Sequence, residues 1–93
     1  MRTVSVKVLL PAPMSTIAGR EEVELEGGSV GEVLSRLWDA YPEMKKKVCD
    51  EKGRLRQFVN VYVNGEDVRA EAGEGTEVRD GDEVTLMLAI SGG

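Results

Sequence analysis

Four stretches of the chain alternate between apolar and polar residues, which is typical of β-strands that bury one face. The first runs from Thr3 to Leu10, and the second, from Arg20 to Glu26, places charged residues around its two apolar side chains. A strand that is charged on one face favours the edge of a sheet. The third runs from Phe58 to Val63 and the fourth from Glu83 to Ile90. Both faces of the fourth are apolar, which favours a central position in the sheet.

One amphipathic helix is predicted between the second and third strands. Ser29 and Glu32 form a Ser-x-x-Glu capping box, in which each side chain accepts a hydrogen bond from the backbone N–H of the other residue. Pro42 marks the end of the helix, because the residue before a proline leaves the helical region. Residues 43–48 are expected to add a short helical turn. One stripe of apolar side chains repeats at helical spacing: Val30, Val33, Leu34, Leu37, Trp38 and Tyr41.

Proline and glycine residues separate these elements. Residues 11–19, which contain two prolines, are predicted to form a loop whose Met14 and Ile17 fold back onto the core. Asn64-Gly65 is a strong hairpin signal, since a type I′ turn needs positive φ at both positions. Residues 66–69 should then form a short return strand.

The order of elements is therefore strand, strand, helix, strand, short strand, strand. One long helix crosses a mixed sheet of four to five strands, with the last strand beside the first in the middle. This is an α+β arrangement of the β-grasp type, as in ubiquitin. We expect the domain to span residues 1–90 and to leave 91–93 as a flexible tail. Six residues are predicted to lie between helix and sheet: Val6, Val8, Leu34, Leu37, Val61 and Leu86.

Composition narrows the possible functions. A chain of 93 residues fits one domain, and its net charge of −5 argues against nucleic acid, because phosphate binding needs a basic surface. The chain shows neither the apolar run of a membrane span nor a signal peptide, so we expect a cytoplasmic protein that is monomeric when free. With one cysteine and no histidine, we expect no disulfide, no metal and no bound cofactor. Cys49 is interpreted as a half-buried structural thiol, and Lys45-Lys46-Lys47 as a solvated surface.

The fourth strand runs directly into Ser91-Gly92-Gly93. Neither glycine has a Cβ atom, so this backbone can enter a channel that is too narrow for side chains. Gly93 is expected to carry the α-carboxylate. Such an end suits an enzyme that must thread a protein terminus into its active site. The alternative is a frayed end with no chemical role.

The whole chain resembles the ubiquitin-like sulfur carriers of prokaryotes, which include the small subunit of molybdopterin synthase and the sulfur carriers of thiamine and cysteine biosynthesis. The resemblance is sharpest in 56–69, Arg-Gln-Phe-Val-Asn-Val-Tyr-Val-Asn-Gly-Glu-Asp-Val-Arg, and in 80–93, where Asp-Gly-Asp-Glu-Val leads to Ala-Ile-Ser-Gly-Gly. The first segment and the proline-containing loop 11–19 look most like the cysteine-biosynthesis type, since the molybdopterin type usually has a helical turn in place of that loop. The chain departs from the family at Leu88, where a proline often stands.

The resemblance implies a chemistry for the C-terminal tail. A ubiquitin-activating-type enzyme would use ATP to adenylate Gly93, and sulfur from a donor protein would displace AMP and leave a thiocarboxylate. The thiocarboxylate would pass its sulfur to an acceptor synthase. On this interpretation the chain has no catalytic residues of its own. Gly92 gives access to the partner's channel, and Ser91 and Ile90 set the path of the tail.

Strand parity places Phe58, Tyr62 and Met87 on the sheet face opposite the helix, where they are predicted to form a docking surface for a partner. The alternative is that loop 11–19 covers them. Two other functions stay open: conjugation of Gly93 to lysines of other proteins, as by a ubiquitin-like modifier, and a binding module with an inert tail. A free-standing enzyme is disfavoured, because the sequence has no histidine and no clustered acid–base set.

Overall fold

The computed structural model describes residues 4–12, 14–70 and 73–89. Its elements follow the predicted order, with one additional helix before the second strand. Numbered along the chain, they are β1 (Ser5–Leu9), α1 (Met14–Ala18), β2 (Glu22–Glu26), α2 (Val30–Ala40), α3 (Pro42–Val48), β3 (Val59–Val63), β4 (Glu66–Asp67), two 3-10 turns (Val68–Ala70 and Gly73–Gly75) and β5 (Glu83–Leu88).

The five strands form one mixed sheet in the order β2-β1-β5-β3-β4. β5 lies in the centre, parallel to β1 on one side and antiparallel to β3 on the other. β2 lies at an edge and pairs with β1 from Ser5↔Glu26 to Leu9↔Glu22. The predicted central position of the last strand and edge position of the second strand are therefore both confirmed.

The long helix α2 begins at the predicted capping box. The Ser29 hydroxyl accepts a hydrogen bond of 3.2 Å from the backbone N–H of Glu32. The reciprocal bond differs from the prediction, because the Glu32 carboxylate accepts from the backbone N–H of Gly28 at 3.4 Å rather than from that of Ser29. An antiparallel bridge to Glu77 holds the chain at Ser29.

The helices cover one face of the sheet and enclose the core. Burial of apolar side chains in this layer is the main stabilising contribution to the fold. Met14 is fully buried and Ile17 packs against the core, as predicted. Among the described residues, no buried side chain is polar or charged. The six predicted core residues are all buried: Val6, Val8, Leu34, Leu37, Val61 and Leu86.

Residues 11–19 do not form the predicted loop. Met14–Ala18 form α1, which starts with a 2.9 Å hydrogen bond from the Ser15 N–H to the Pro11 carbonyl and ends at Gly19, whose φ is 74°. Proline is tolerated where a helix starts, because its missing N–H would have no partner there, and burial of Met14 holds the turn against the core. This segment therefore has the helical turn that was expected to be absent, and it does not favour one carrier type over another.

The Asn64-Gly65 hairpin is confirmed, with φ values of 50° and 88° at the two positions. The return strand is shorter than predicted. It ends at Asp67, and Val68–Ala70 continue as a 3-10 turn. The Asp67 carboxylate explains this early end, because it accepts a 2.8 Å hydrogen bond from the backbone N–H two residues later and so bends the chain away from the sheet.

Asp82 ties this hairpin to the start of β5. Its carboxylate accepts hydrogen bonds from the backbone N–H of Arg79 at 2.8 Å and from Asn64 Nδ2 at 3.1 Å. These two bonds hold the pKa of Asp82 below its ordinary value. The Asn64 side-chain oxygen accepts in turn from the Glu83 N–H at 3.0 Å. The hairpin is thereby fixed at the end of the sheet opposite to the one where the chain leaves β5.

Candidate functional site

The predicted docking residues lie on the sheet face that the helices leave uncovered, which we call the outer face. Met87 pairs with Asn60 across the β5–β3 ladder, so Phe58 and Tyr62 lie on either side of it along β3. Met87 is 52% exposed and Phe58 is 38% exposed, whereas Tyr62 is half-buried. The alternative that residues 11–19 cover them is wrong, because α1 contacts α3 on the other side of the sheet.

Leu9 extends this group of apolar side chains and was not among the predicted docking residues. It pairs with Thr85, next to Met87, and is half-buried. The signal was present in the sequence, since parity places Leu9 on the face opposite to Val8. What parity could not give was which residue of β5 lies beside Leu9, because this depends on the register between β1 and β5. We call Leu9, Phe58, Tyr62 and Met87 the apolar patch.

The apolar patch lies at the end of the sheet where the chain leaves β5. The backbone N–H of Ala89, the last described residue, donates a 2.6 Å hydrogen bond to the Phe58 carbonyl. The predicted tail residues Ile90, Ser91, Gly92 and Gly93 lie outside the described residues, and their roles stay predictions. Chain length alone sets a limit: Gly92 is three residues beyond Ala89, and three residues span at most about 11 Å from Ala89.

Arg69 lies beside the apolar patch and is held by side chains of the outer face. Its guanidinium donates to both carboxylate oxygens of Asp67, at 3.3 and 3.1 Å, and to the side-chain oxygen of Asn60. Asn60 is the residue that pairs with Met87. The hydrogen bonds from Arg69 lower the pKa of Asp67, and Asp67 raises that of Arg69. The Arg69 side chain is nevertheless 64% exposed, so the Arg69–Asp67 ion pair lies at the surface next to the patch.

The opposite edge of the outer face is acidic. Glu22, Glu24 and Glu26 of β2 are all exposed, and they pair with Leu9, Lys7 and Ser5 of β1. The Ser5 hydroxyl donates to Glu24 at 2.7 Å. Lys7 approaches Glu22 at 3.9 Å, with both side chains more than half exposed, and such a pair contributes little to stability.

The rest of the described chain offers little for catalysis. Cys49 is buried rather than half-buried as predicted, and burial raises the pKa of its thiol, which disfavours the reactive thiolate. Lys45, Lys46 and Lys47 are exposed. No cluster of histidine, cysteine, aspartate or glutamate that could hold a metal ion occurs in residues 4–12, 14–70 and 73–89. None of the described helices is long and apolar enough to cross a membrane.

A groove of about 580 Å³ opens beside β3 and is lined in part by Arg69, which also borders the outer face. Val59, Val61 and Val68 supply apolar side chains to its lining, and Gln57 and Glu74 supply polar ones. The described residues that line it include no serine, threonine or cysteine that could act as a nucleophile. The exposed outer face, where the chain leaves β5, is therefore the better candidate for function.

Both the sequence and the fold of this chain are similar to those of known proteins. The sequence profile of the ThiS family matches residues 8–93. The chain belongs to the ThiS family. One similar protein is the sulfur carrier protein CysO of Mycobacterium tuberculosis. It is 38% identical to this chain over 93 residues, which cover 98% of this chain and 97% of CysO.

Solved structures related to this ThiS-family chain share its fold. The solution structure of small archaeal modifier protein 1 from Methanosarcina acetivorans matches with a TM-score of 0.86 at 34% identity and covers 100% of both chains. A chain in the crystal structure of the Amycolatopsis orientalis BexX/CysO complex matches with a TM-score of 0.83 at 37% identity, covering 95% of this chain and 99% of that one. The predicted β-grasp fold is confirmed.

Membership of the ThiS family also confirms the predicted resemblance to ubiquitin-like sulfur carriers, the cysteine-biosynthesis type included. By name, these relatives are a sulfur carrier protein and a small archaeal modifier protein. One of them is found in a complex with a second protein, BexX. The roles predicted for the diglycine and for the docking surface go beyond these likenesses and stay predictions.

Proposed function

We propose that this ThiS-family protein is a sulfur carrier whose C-terminal glycine, Gly93, is adenylated and then converted to a thiocarboxylate. The observation that carries the proposal is its likeness to a sulfur carrier along nearly the whole chain, in a sequence that runs from the central strand into Gly92-Gly93. The protein acts as a substrate in the cytoplasm, without a bound cofactor. ATP is used by the activating enzyme.

The chemistry explains why activation is needed. A carboxylate is a poor electrophile, because a nucleophile must add charge to a group that is already anionic. The Gly93 carboxylate oxygen attacks the α-phosphorus of ATP, the bond to pyrophosphate breaks, and an acyl adenylate forms. Sulfide then attacks the carbonyl carbon, the bond to AMP breaks, and a thiocarboxylate remains. The reaction needs no acid or base from this chain, which only has to deliver the carbonyl group.

Each part of the C-terminal region has a role in bringing the Gly93 carbonyl group to the activating enzyme. Gly92 and Gly93 lack a Cβ and can enter a narrow channel in the activating enzyme. Ser91 and Ile90 set the path from the domain to that channel. Phe58, Tyr62 and Met87 bind the enzyme's surface, because exposed aromatic and methionine side chains are enriched in protein interfaces. Leu9 joins them as part of the same apolar patch.

Intact-mass spectrometry tests the proposal directly. The purified chain is incubated with the ubiquitin-activating-type enzyme of the same organism, ATP and sulfide. We expect a mass increase equal to the replacement of one oxygen atom by sulfur, and fragmentation should place it at Gly93. A chain without Gly92-Gly93 serves as the control. Sulfur elsewhere in the chain, or an unchanged mass together with no release of pyrophosphate, would contradict the proposal.

A second candidate function is supported by the 34% identity and TM-score of 0.86 to a small archaeal modifier protein. In that case the activated Gly93 would form an isopeptide bond with lysines of other proteins. The two functions share activation and differ only in the nucleophile. Tryptic peptides from cells would separate them. The last trypsin site of the chain is Arg79, so a modifier would leave residues 80–93 attached to lysines of foreign proteins, whereas a carrier would leave no such remnant.

A further inference from the structure

Basic residues are concentrated in one short part of the chain. Residues 45–56 hold six of its twelve lysines and arginines and two of its seventeen acidic residues. This segment therefore carries a net charge of +4, whereas the rest of the chain carries −9. All six basic side chains are exposed, and none forms an ion pair within the described part of the chain. We call these six residues the basic surface: Lys45, Lys46, Lys47, Lys52, Arg54 and Arg56.

A short hairpin after α3 holds the two arginines of this surface in place. Cys49 forms an antiparallel bridge with Leu55, and the Arg56 N–H donates to the Val48 carbonyl at 2.9 Å. Cys49 is buried, and Leu55, its partner in the bridge, packs against the core. Arg54 and Arg56 flank Leu55 and consequently point the other way, into solvent.

The turn of this hairpin is fixed by Asp50 and lies against α3. The Asp50 carboxylate accepts hydrogen bonds from the backbone N–H of Arg54 at 3.0 Å and from that of Lys52 at 2.9 Å, and these bonds hold the pKa of Asp50 below its ordinary value. Gly53 has a φ of 82°, and a Cβ atom built on it would lie 3.9 Å from Lys45 Nζ. The ammonium group of Lys45 therefore lies beside the turn, so helix and hairpin form one surface.

Four carboxylates lie near the basic surface: Glu43 of α3, Asp50 and Glu51 of the hairpin, and Glu74 of the second 3-10 turn. The helix α2 packs against α3 and adds Arg36 and Asp39, whose charges cancel. Six cations and four carboxylates leave a net charge of +2, in a chain whose net charge is −5. The basic surface thus stays positive after its acidic neighbours are counted.

The basic surface lies at the end of the sheet where the chain leaves β5. The Val59 N–H donates to the Arg56 carbonyl at 3.0 Å, and the Ala89 N–H donates to the Phe58 carbonyl. Gly93 follows Ala89 by four residues, which span at most about 14 Å. A partner that receives Gly93 can therefore contact the basic surface as well. Because this surface is built on α3 and its hairpin, it is separate from the outer face.

We propose that the basic surface binds an acidic surface of the protein that takes the sulfur atom from Gly93. This rests on the proposed function, in which such an acceptor receives the thiocarboxylate, and charge complementarity carries it. The adenylating enzyme is a poorer match, because a site that binds the phosphates of ATP is lined with cations. Cations around the entrance for the tail would repel the basic surface. An acceptor needs no ATP site there, since the sulfur is already activated.

Nucleic acid is a poorer match for a different reason. The helix α3 has seven residues, which corresponds to a length of about 10 Å. A nucleic acid duplex carries one negative charge per about 1.7 Å of its axis, so a duplex of useful length would extend beyond the basic surface. It would then meet the rest of the chain, whose net charge is −9.

The test follows the transfer of sulfur. In this step the thiocarboxylate sulfur attacks an electrophilic carbon of the acceptor's substrate and displaces its leaving group, and water then hydrolyses the thioester and restores the Gly93 carboxylate. The thiocarboxylate form of the full chain is prepared with the adenylating enzyme, ATP and sulfide and is then separated from them. It is incubated with nuclease-treated cell extract of the same organism, and intact mass follows the return of the carboxylate. Heated extract gives the background rate.

The variants change charge and leave the hairpin intact. Arg54→Gln/Arg56→Gln removes two charges from the basic surface, whereas the hairpin bonds of these residues are made by backbone groups. Its matched control, Arg36→Gln/Arg79→Gln, makes the same change in net charge at exposed positions outside the basic surface. Arg54→Lys/Arg56→Lys keeps the charge. Circular dichroism melting verifies that all three variants fold.

We expect the glutamine variant to lower the transfer rate by about tenfold at low salt and at chain concentrations below saturation. Its control should lower the rate by less than about threefold. The lysine variant should retain most of the rate, and the effect should shrink as salt is added, because salt screens exposed charges. The KM for adenylation, measured by pyrophosphate release, should stay within about twofold for all variants.

Several results would overturn the inference. Equal losses for the glutamine variant and its control would show that only net charge matters. Unchanged transfer would show that the basic residues only keep this surface in water. A parallel loss in adenylation would assign the surface to the activating enzyme, and transfer that stops on nuclease treatment would identify nucleic acid as the partner. Transfer no faster than in heated extract would contradict an acceptor protein.

The same experiment separates the inference from the proposed function. If the unaltered chain takes up no sulfur at Gly93, the proposed function fails, and the inference fails with it. If the unaltered chain takes up sulfur there, the proposed function holds, and the variants decide on the basic surface alone.

Discussion

Two adjacent residues of β5 allow stability and partner binding to be examined separately. Leu86 is 1% exposed and faces the core, whereas Met87 is 52% exposed on the outer face. Replacing each by alanine is a similar truncation in the same strand, one residue apart. The two variants should therefore have opposite effects on unfolding and on adenylation.

The loss of stability expected for Leu86→Ala follows from the complete burial of the leucine side chain. Removing a buried leucine side chain costs about 2–5 kcal/mol of unfolding free energy. A domain of this length is stable by roughly 5–14 kcal/mol, so the variant should stay folded at room temperature. A loss of about 3 kcal/mol would lower Tm by about 12–24 °C. Once folded, the variant presents an unchanged outer face, and its KM should equal that of the unaltered chain.

The loss of stability expected for Met87→Ala is small because the methionine side chain is only partly buried. Half of the side chain is already in water, so truncation should cost less than about 1 kcal/mol of stability. Its neighbours Phe58 and Tyr62 place it in the middle of the apolar patch. Loss of a central interface side chain can weaken binding by about 2 kcal/mol, which corresponds to an increase in KM of up to about 30-fold.

Stability can be followed in urea by the fluorescence of Trp38, the single tryptophan of the chain, which packs against the core. KM and kcat are obtained from pyrophosphate release by the adenylating enzyme, at a temperature where both variants are folded. If Met87→Ala lost as much stability as Leu86→Ala, the assignment of the two faces would be wrong. If both variants had the same KM, Met87 would have no special part in binding.

Three further predictions concern the tail, the helix cap and acid stability. Gly93→Ala should slow adenylation, and deletion of Gly92-Gly93 should abolish it with little change in Tm; a deleted chain that still drives pyrophosphate release would contradict this. Ser29→Ala should cost about 1 kcal/mol in urea unfolding because α2 loses its cap, whereas Ser35→Ala at an exposed helix position should not destabilise. Hydrogen bonds from Arg79 and Asn64 lower the folded-state pKa of Asp82. The contribution of this carboxylate to the free energy of unfolding is therefore complete above the ordinary aspartate pKa, and it is lost as pH falls through the lowered value. Asp82→Asn should therefore be less stable than the unaltered chain at neutral pH, and its free energy of unfolding should change less as the pH is lowered. An identical dependence of the unfolding free energy on pH for both proteins would rule this out.

The regular strands and the long helix could be predicted because their signals are local. Alternation of apolar residues identifies a strand whatever its neighbours are, and Ser29 with Glu32 marks the start of α2 in four residues. The short elements were predicted less well. A helix of five residues has little stability of its own, and α1 exists because Met14 is buried against the rest of the core, a contact that no local pattern reveals.

The candidate site was likewise predicted only in part. Strand parity identified Phe58, Tyr62 and Met87 as one face, because parity is a property of each strand. The positions of Leu9 beside this group and of Arg69 over Asn60 depend on which strands are neighbours and on their register.

The central place of β5 has a consequence for the synthesis of the protein. The ribosome makes the chain from its N-terminus, and β5 is the last of the five described strands to be made. Until then β1 and β2 form one pair and β3 and β4 another, with no ladder between them, and an isolated pair of strands is at best marginally stable in water. A chain that stops before Glu83 would thus lack both a complete sheet and the segment that follows it. Prematurely terminated chains would not accumulate as folded decoys that bind the activating enzyme without a glycine to activate.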